Sequence, residues 1–361
     1  DKKVGEIDWE RKLSLQGPRE TLAVCMIVNN SDKVLRRCLA SVRNVADQLV
    51  VVDNGPSTDR TVETALEFGA QVRAGTSPHF CYTHMVIHPW DQIQPGVCEP
   101  AGFETPRNES AEGVWCDHIA WIDSDEFFTQ PGALFKYLRP NTYYGYAVQQ
   151  HHLSVDAGKL KIDLPVRIFR NHLGIKCFGK VHEHFEIGPN RGMGNDCMAM
   201  PDLHISHDGY IDEDTRRQRF QRNLKLLECD RLKYPDRVLG TFLYDVRDRL
   251  HMARYSIEQA GGKLTDEARR HCELVIEAYR KHFMGAGHFA VLAIDGLQYY
   301  SEALAILGLG AEFCVAVDAK RAGTGTPPYE KFRAMDKNEA LKIIGMKIDH
   351  LAQQFEGPYV A

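Results

Sequence analysis

Leu22–Val28 reads LAVCMIV and Gln48–Asp53 reads QLVVVD, and these two stretches decide the fold class. Each is a largely apolar run of strand length, the pattern of a strand covered on both faces. Between them Val34, Leu35, Cys38, Leu39 and Val42 recur at helical spacing, behind Ser31 or Asp32 as a cap. A second helix is predicted over residues 58–68, opened by Ser57 or Thr58 and closed by Gly69. Residues 70–73 make a short third strand. This β-α-β-α-β order implies a parallel sheet with right-handed crossovers.

Working outward, the pattern fades over residues 75–106, where Pro78, Pro89, Pro95, Pro100 and Pro106 forbid long regular elements. The stretch reads as a long functional or mobile loop. Its histidines, His79, His84 and His88, lack helical metal spacing, and Tyr82, Trp90 and Phe103 read as loop anchors or ring-stacking residues. A buried strand returns at 118–123 (HIAWID), and residues 143–151 and 164–170 read as further, partly antiparallel strands. Beyond Tyr210 the character becomes helical. Phe220, Leu224 and Leu227 share one face of a helix over 212–232, and Arg216, Arg217, Arg219, Arg222 and Lys225 read mainly as its solvated face. Helices are expected to continue to about Gln354, broken by glycine pairs and Pro235, as a small repeat or bundle. The expected division is an N-terminal extension at 1–20, an α/β catalytic domain at 21–210 and a helical domain at 211–361.

The 361 residues carry 44 basic and 49 acidic side chains, a net charge of -5, with 43% hydrophobic and 26% charged residues. These are globular values and exclude disordered and fibrous classes. No apolar run approaches the roughly 20 residues of a membrane span. The start at Asp1, without Met or a signal pattern, reads as a trimmed or tagged chain. Ten cysteines without a C-x-x-C pair argue against a zinc ribbon or disulfide scaffold and for a reducing, cytoplasmic setting. The mild acidity argues against a dedicated nucleic-acid binder. Of 16 histidines, most lie between His79 and His207.

Ligands of open α/β sheets bind at the carboxyl ends of strands. Here those ends carry Val28-Asn29-Asn30, Asp53 and the Asp123-x-Asp125 pair. A carboxylate such as Asp53 can accept from a ribose hydroxyl or a base N–H, or merely cap its own turn. Paired carboxylates suit Mg²⁺ or Mn²⁺, which can neutralise a diphosphate. Neither G-x-G-x-x-G after the first strand nor G-x-x-x-x-G-K-[ST] is present, which disfavours dinucleotide dehydrogenases and P-loop enzymes.

Residues 21–30, 49–61 (LVVVDNGPSTDRT), 106–109 (PRNE) and 120–127 (AWIDSDEF) together resemble the donor-binding half of family-2, GT-A-fold glycosyltransferases. Pro56, Pro106 and the Asn30-Ser31 pair depart from the usual pattern. Residues 178–183 (FGKVHE), 204–210 (HISHDGY) and 222–224 (RNL) resemble segments of a subgroup with helical, tetratricopeptide-like C-terminal domains. The resemblance implies that Asp53, Val28 and Asn29 line the nucleoside pocket, Arg107 faces base or diphosphate, and Asp123 approaches ribose. It implies Asp125 and His207 as metal ligands; an imidazole among oxygens favours Mn²⁺ over Mg²⁺.

The function so implied is a metal-dependent hexosyltransferase using a UDP-sugar and inverting the anomeric centre, with a glycan, peptide, protein or nucleobase acceptor. The acceptor proton falls to Glu183, then His182, with His184 and Glu126 as further candidates. If residues 181–185 are extended, His182 and His184 share a face opposite Glu183. Alternatives are a nucleotidyltransferase, for which the loop after the first strand offers no glycine-rich basic segment, and a non-catalytic binding module. The helical domain is a candidate surface for homo-oligomers.

Overall fold

The computed structural model of the protein describes residues 19–139, 143–152, 161–187, 197–207, 213–235, 238–282 and 290–309. Among these, residues up to Pro89 and from Glu99 to His207 form one compact unit, and Trp90–Cys98 with residues from Glu213 form a second. Most of the expected N-terminal extension, residues 208–212 and the helices expected beyond 309 lie outside the described residues.

The first unit runs β1 (Leu22–Val28), α1 (Asp32–Val42), β2 (Gln48–Asp53), α2 (Thr61–Glu67), β3 (Gln71–Ala74), β4 (Phe80–Cys81) and β5 (Val86–Ile87). It continues through α3 (Glu104–Ala111), β6 (His118–Trp121), β7 (Glu126–Phe128) and the short α4 (Leu134–Tyr137). The remaining strands are β8 (Gly145–His152), β9 (Lys161–Asp163), β10 (Val166–Arg170), β11 (Ile175–Phe178), β12 (His184–Ile187) and β13 (Cys197–His207).

The main sheet has the order β3-β2-β1-β6-β10-β8-β13-β7, with β9 on β8. β1 pairs in parallel with β2 and β6, and β2 with β3. The far half is mixed: β10 is antiparallel to β6 and β8, whereas β13 is parallel to β8 and antiparallel to β7. This is an α/β core with a parallel half and a mixed half, followed in the chain by helices.

β1 is apolar throughout because both its faces are covered. Leu22, Val24, Met26 and Val28 pack with Leu35, Leu39 and Val42 of α1. Ala23 and Cys25 face the opposite layer, with Trp121, Phe169 and Cys177. Burying such side chains contributes about 1.5–3 kcal/mol each, so this strand anchors the unit.

Three local expectations change. α2 begins at Thr61, not at 58, because the preceding residues are drawn into a turn. Thr58 N donates to Asn30 Oδ1 (2.8 Å), and Asp59 Oδ1 accepts from Thr61 N (3.0 Å). The region 75–106 is not one long loop: it holds the β4–β5 hairpin and the start of α3. Pro106 is tolerated in the first turn of α3, where its missing N–H costs no helical bond. β13 was not anticipated. Its pairing with β8 slips between Met200 and His204, so Pro201 falls at an irregularity where its missing donor does no harm.

The second unit contains α5 (Glu213–Lys233), α6 (Val238–Gln259), α7 (Asp266–His282) and α8 (Ala290–Ile306). Val246, Leu250 and Ala253 of α6, Cys272, Val275 and Tyr279 of α7, and Tyr300 and Leu304 of α8 make its core. Gly261 and Gly262, at φ +64° and +85°, turn the chain between α6 and α7. The basic face of α5 is used within this unit: Arg217 lies over the Tyr255 ring (5.1 Å), and Lys225 donates to the Asp91 carbonyl. Among the described residues no helix is long and apolar enough to cross a membrane.

Candidate active site

Because β1, β2 and β6 are parallel, their carboxyl ends share one edge of the sheet. Val28 is paired with Asp53 across that edge. The Val28 side chain is buried, and its carbonyl accepts from Asn54 N at 3.0 Å. Exposed Asn29 donates its side-chain amide to the Gly55 carbonyl. Asp53 accepts from the Ser57 hydroxyl and the Ser57 N–H, both at 2.9 Å. It therefore shapes the β2–α2 loop, while each oxygen keeps a further lone pair for a ligand.

Past β6 the chain folds tightly around Glu126. Asp123 N donates to Glu126 Oε2 (2.8 Å), and Glu126 N donates to the Asp123 carbonyl (3.0 Å). The buried Glu126 thus ties the turn that presents Asp123 and Asp125. Arg167 Nη2 approaches Glu126 Oε1 at 2.6 Å, and Gln150 donates to the same oxygen. Burial still pushes the Glu126 carboxyl above its ordinary range, against the pull of Arg167. The Ser124 hydroxyl donates to Ser31 Oγ at 3.0 Å, joining this turn to the loop after β1.

Arg107, on α3, is the hinge of the cluster. Its Nη2 donates to Asp123 Oδ1 and its Nε to Glu183 Oε1, both at 2.8 Å. Its guanidinium lies 5.7 Å from the Trp121 ring centroid. Arg167 adds a second cation 3.6 Å from Asp123 Oδ2. Burial raises the Asp123 carboxyl, but the charges of Arg107 and Arg167 outweigh it and hold the group well below the usual carboxylate range.

Glu183 sits on the turn between β11 and β12, and α3 pins that turn. Asn108 and Cys177 exchange two hydrogen bonds of 2.9 Å, and Gly179 N donates to Glu104 Oε2 at 2.8 Å. Gly102, at φ +69°, lets the backbones close up: a Cβ there would stand 2.5 Å from Lys180 Cα. His182 adopts φ +54° within this turn. Residues 181–185 are therefore not extended throughout, and the expected alternation of His182 and His184 against Glu183 does not apply. His184 is half exposed on β12 and pairs with Glu186 at 2.8 Å.

β13 brings His207 opposite Glu126 on β7 and His152 on β8. His207 Nε2 lies 3.4 Å from Asp125 Oδ2. Its Nδ1 is 3.0 Å from His152 Nδ1, and His152 Nε2 is 2.8 Å from Asp163 Oδ2. Burial lowers the His207 pKa, but Asp125 and the neighbouring carboxylates raise it above the usual imidazole value. The relay occupies the far nitrogen of His207 and directs Nε2 toward Asp125. This is the outer support that a metal-binding imidazole needs. A carboxylate and an imidazole so placed fit Mn²⁺ or Mg²⁺, the imidazole favouring Mn²⁺.

The sequence reading missed Arg167, His152 and Asp163, and the tying role of Glu126. The His151-His152 pair at the end of an expected strand was the available signal. Its use depends on the β8–β13 pairing, which no local pattern encodes.

The sheet edge with its acidic turn lies at the carboxyl ends of parallel strands, where open α/β sheets bind their ligands. Residues 23–86 match the family model for Glycosyl transferase family 2. The chain is 29% identical over 176 residues to a TPR repeat-containing protein of Synechococcus elongatus, covering 45% of this chain and 34% of that protein. The chain thus spans about a third of the length of this curated relative. Among solved structures, S. aureus TarS 1-349 in complex with UDP-GlcNAc is similar at TM-score 0.41 and 13% identity, covering 88% of this chain and 95% of that one. Glucosyl-3-phosphoglycerate synthase from Mycobacterium tuberculosis, in complex with Mn²⁺, UDP and glucosyl-3-phosphoglycerate, gives TM-score 0.34 and 15% identity over 64% of this chain and 86% of that one.

Proposed function

We propose that the protein is a metal-dependent glycosyltransferase that moves a sugar from a UDP-sugar to an acceptor hydroxyl or other nucleophile, with inversion. The observation that carries this reading is the placement of Asp125 and His207, backed by His152 and Asp163, beside the Asp123–Arg107–Glu183 cluster. The family match over β1 to β3 supports it.

In this reading Val28 and Asn29 line the nucleoside pocket with their backbone, and Asp53 accepts from uridine or ribose. Asp123, held ionised by two arginines, accepts from a ribose hydroxyl. Asp125 and His207 hold the divalent ion, which as a Lewis acid supplies charge neutralisation for the leaving diphosphate. Arg107 adds a forked donor for phosphate oxygens. Glu183, engaged by Arg107 through Oε1, takes the acceptor proton through its other oxygen, with His182 as the neighbouring alternative. The new bond forms from the acceptor atom to the anomeric carbon as the bond to UDP breaks on the opposite face. The proton goes to Glu183 and the electron pair to UDP.

The test is UDP release from a panel of UDP- and GDP-sugars with Mn²⁺, paired with thermal shifts on adding UDP. Release and stabilisation with one UDP-sugar are expected. Absence of hydrolysis, transfer and any UDP-induced shift overturns the reading.

A further inference from the structure

The structure assigns a second metal site, apart from Asp125 and His207, to the chain between β3 and α3. We propose that Cys81, His84 and His88, with Cys98 as fourth ligand, bind a tetrahedral Zn²⁺. Cys81 Sγ lies 3.4 Å from His84 Nδ1, and that nitrogen lies 3.1 Å from His88 Nε2. Each residue offers one donor atom, all within 4.8 Å of one another. With Zn–S near 2.3 Å and Zn–N near 2.0–2.1 Å, a tetrahedron sets neighbouring donors about 3.3–3.8 Å apart. The 3.4 Å and 3.1 Å separations fall at that edge length or just inside it. A simple imidazole–imidazole hydrogen bond would account for the His84–His88 approach alone. It would leave the thiol at the same nitrogen without a reason.

The local chain is built around the thiol. Cys81 ends β4, and its carbonyl accepts from Met85 N at 2.7 Å, with Met85 at φ +57°. Glu99 N donates to Thr83 Oγ1 at 3.2 Å, which draws the chain after Cys98 against the turn that follows Cys81. Tyr82 N donates to the Glu99 carbonyl (2.9 Å), and Cys81 bridges to Pro100. Cys98, the residue before Glu99, is thereby carried to the same place by its covalent link. Both cysteines are buried and neither is in a disulfide.

The resulting C-x2-H-x3-H-x9-C set is soft and nitrogen-rich, unlike the carboxylate–imidazole pair at the sheet edge, so it selects a different ion. Four protein ligands leave no open position, which makes the site structural rather than catalytic. It would clasp the segment whose far end is held by Ala101 N to the Phe80 carbonyl (2.7 Å) and Gly102 N to the Pro78 carbonyl (2.9 Å). That segment leads straight into α3.

The full chain, purified without chelator, should carry about one Zn²⁺ by elemental analysis, and Co²⁺ should replace it with a thiolate charge-transfer band and tetrahedral d–d absorption. Cys81→Ser with Cys98→Ser should lose the metal and the band. His84→Ala, at an exposed position, should weaken binding while circular dichroism stays native, which guards against a variant that simply fails to fold. Asp125→Ala should leave zinc content and the Co²⁺ bands unchanged, so failure here is separable from failure of the transferase reading. Chymotrypsin, which has Phe80, Tyr82, Trp90 and Phe103 to cut after, should spare residues 75–106 until zinc is withdrawn by a thiol reagent. A metal-free protein whose Cys81 and Cys98 are joined by a disulfide, or Co²⁺ bands lost in Asp125→Ala but kept in the cysteine variant, overturns the proposal.

Discussion

The two proposed ligand sets differ in chemistry and in how they are assembled. Asp125 and His207 come from a strand-end turn and a distant strand, supported by His152 and Asp163. Cys81, His84 and His88 lie within eight residues of one another on a single hairpin. The first set is proposed from its acidic turn and a family resemblance. The second was passed over because its spacing matches no helical pattern. Hard oxygen ligands at a sheet edge belong with phosphate chemistry; sulfur and imidazole in a closed local turn belong with a structural ion. Legibility followed familiarity of the motif rather than compactness in sequence.

The sharpest way to break this contrast is Asp125→Ala. UDP-sugar turnover should fall about 10³-fold or more, since the ion is worth several kcal/mol of transition-state charge stabilisation. Near-normal Mn²⁺-dependent turnover in this variant would remove Asp125 from the metal site. Next is Arg107→Ala, which leaves Asp123 and Glu183 facing each other with one bridging cation gone. A loss of roughly 3–5 kcal/mol is expected in urea unfolding, because a partly buried charge pair is broken on one side. A loss below about 1 kcal/mol would show that Arg167 and solvent suffice. His152→Ala should weaken Mn²⁺ binding about 10–100-fold, read by titration calorimetry, through loss of support for His207 rather than of a ligand. The same variant should leave the Cys81 site untouched; coupled loss at both would show that the two sets are not independent.

The smallest effect is a pH control for both sites. Fully buried His118 has a pKa lowered to about 4, by burial first and then by Arg170. Among the described residues its ring nitrogens have no hydrogen-bond partner, although Glu20 Oε2 approaches Nε2 to 3.6 Å. The folded protein keeps it neutral where the unfolded chain, titrating near 6.5, takes up a proton. Its contribution is therefore complete above about pH 6.5 and declines as pH falls toward 4. About 1.4 kcal/mol should be gone at pH 5.5. His118→Phe should flatten that slope in urea melts; an unchanged slope would place the acid sensitivity elsewhere.

Much of the first unit was readable because its local and global signals agree. LAVCMIV and QLVVVD are continuous because both faces of β1 and most of β2 are covered, so periodicity and burial carry the same message. α1 was legible for the same reason. The start of α2 was not, because Asn30 and Asp59 capture the residues before Thr61 across a loop. β13 was hidden by Pro201, and the turn at His182 by a positive φ on a non-glycine residue. In the site, Asp123 and Asp125 were visible as a motif. Arg167 was not, since an arginine on a strand declares no partner until β10 is placed beside β6.

By itself the sequence determined which segments are strands and helices of the parallel core, and that an acidic turn closes β6. Apolar periodicity and short-range turn chemistry are local properties. Only the tertiary structure decided that β8 lies beside β13, setting His152 against His207, that Arg107 spans Asp123 and Glu183, and that one thiol and two imidazoles of a hairpin converge. Those outcomes depend on strand register and on close backbone approaches such as Gly102 against Lys180. Register and backbone approach are settled by packing across the whole unit, not by any stretch read alone.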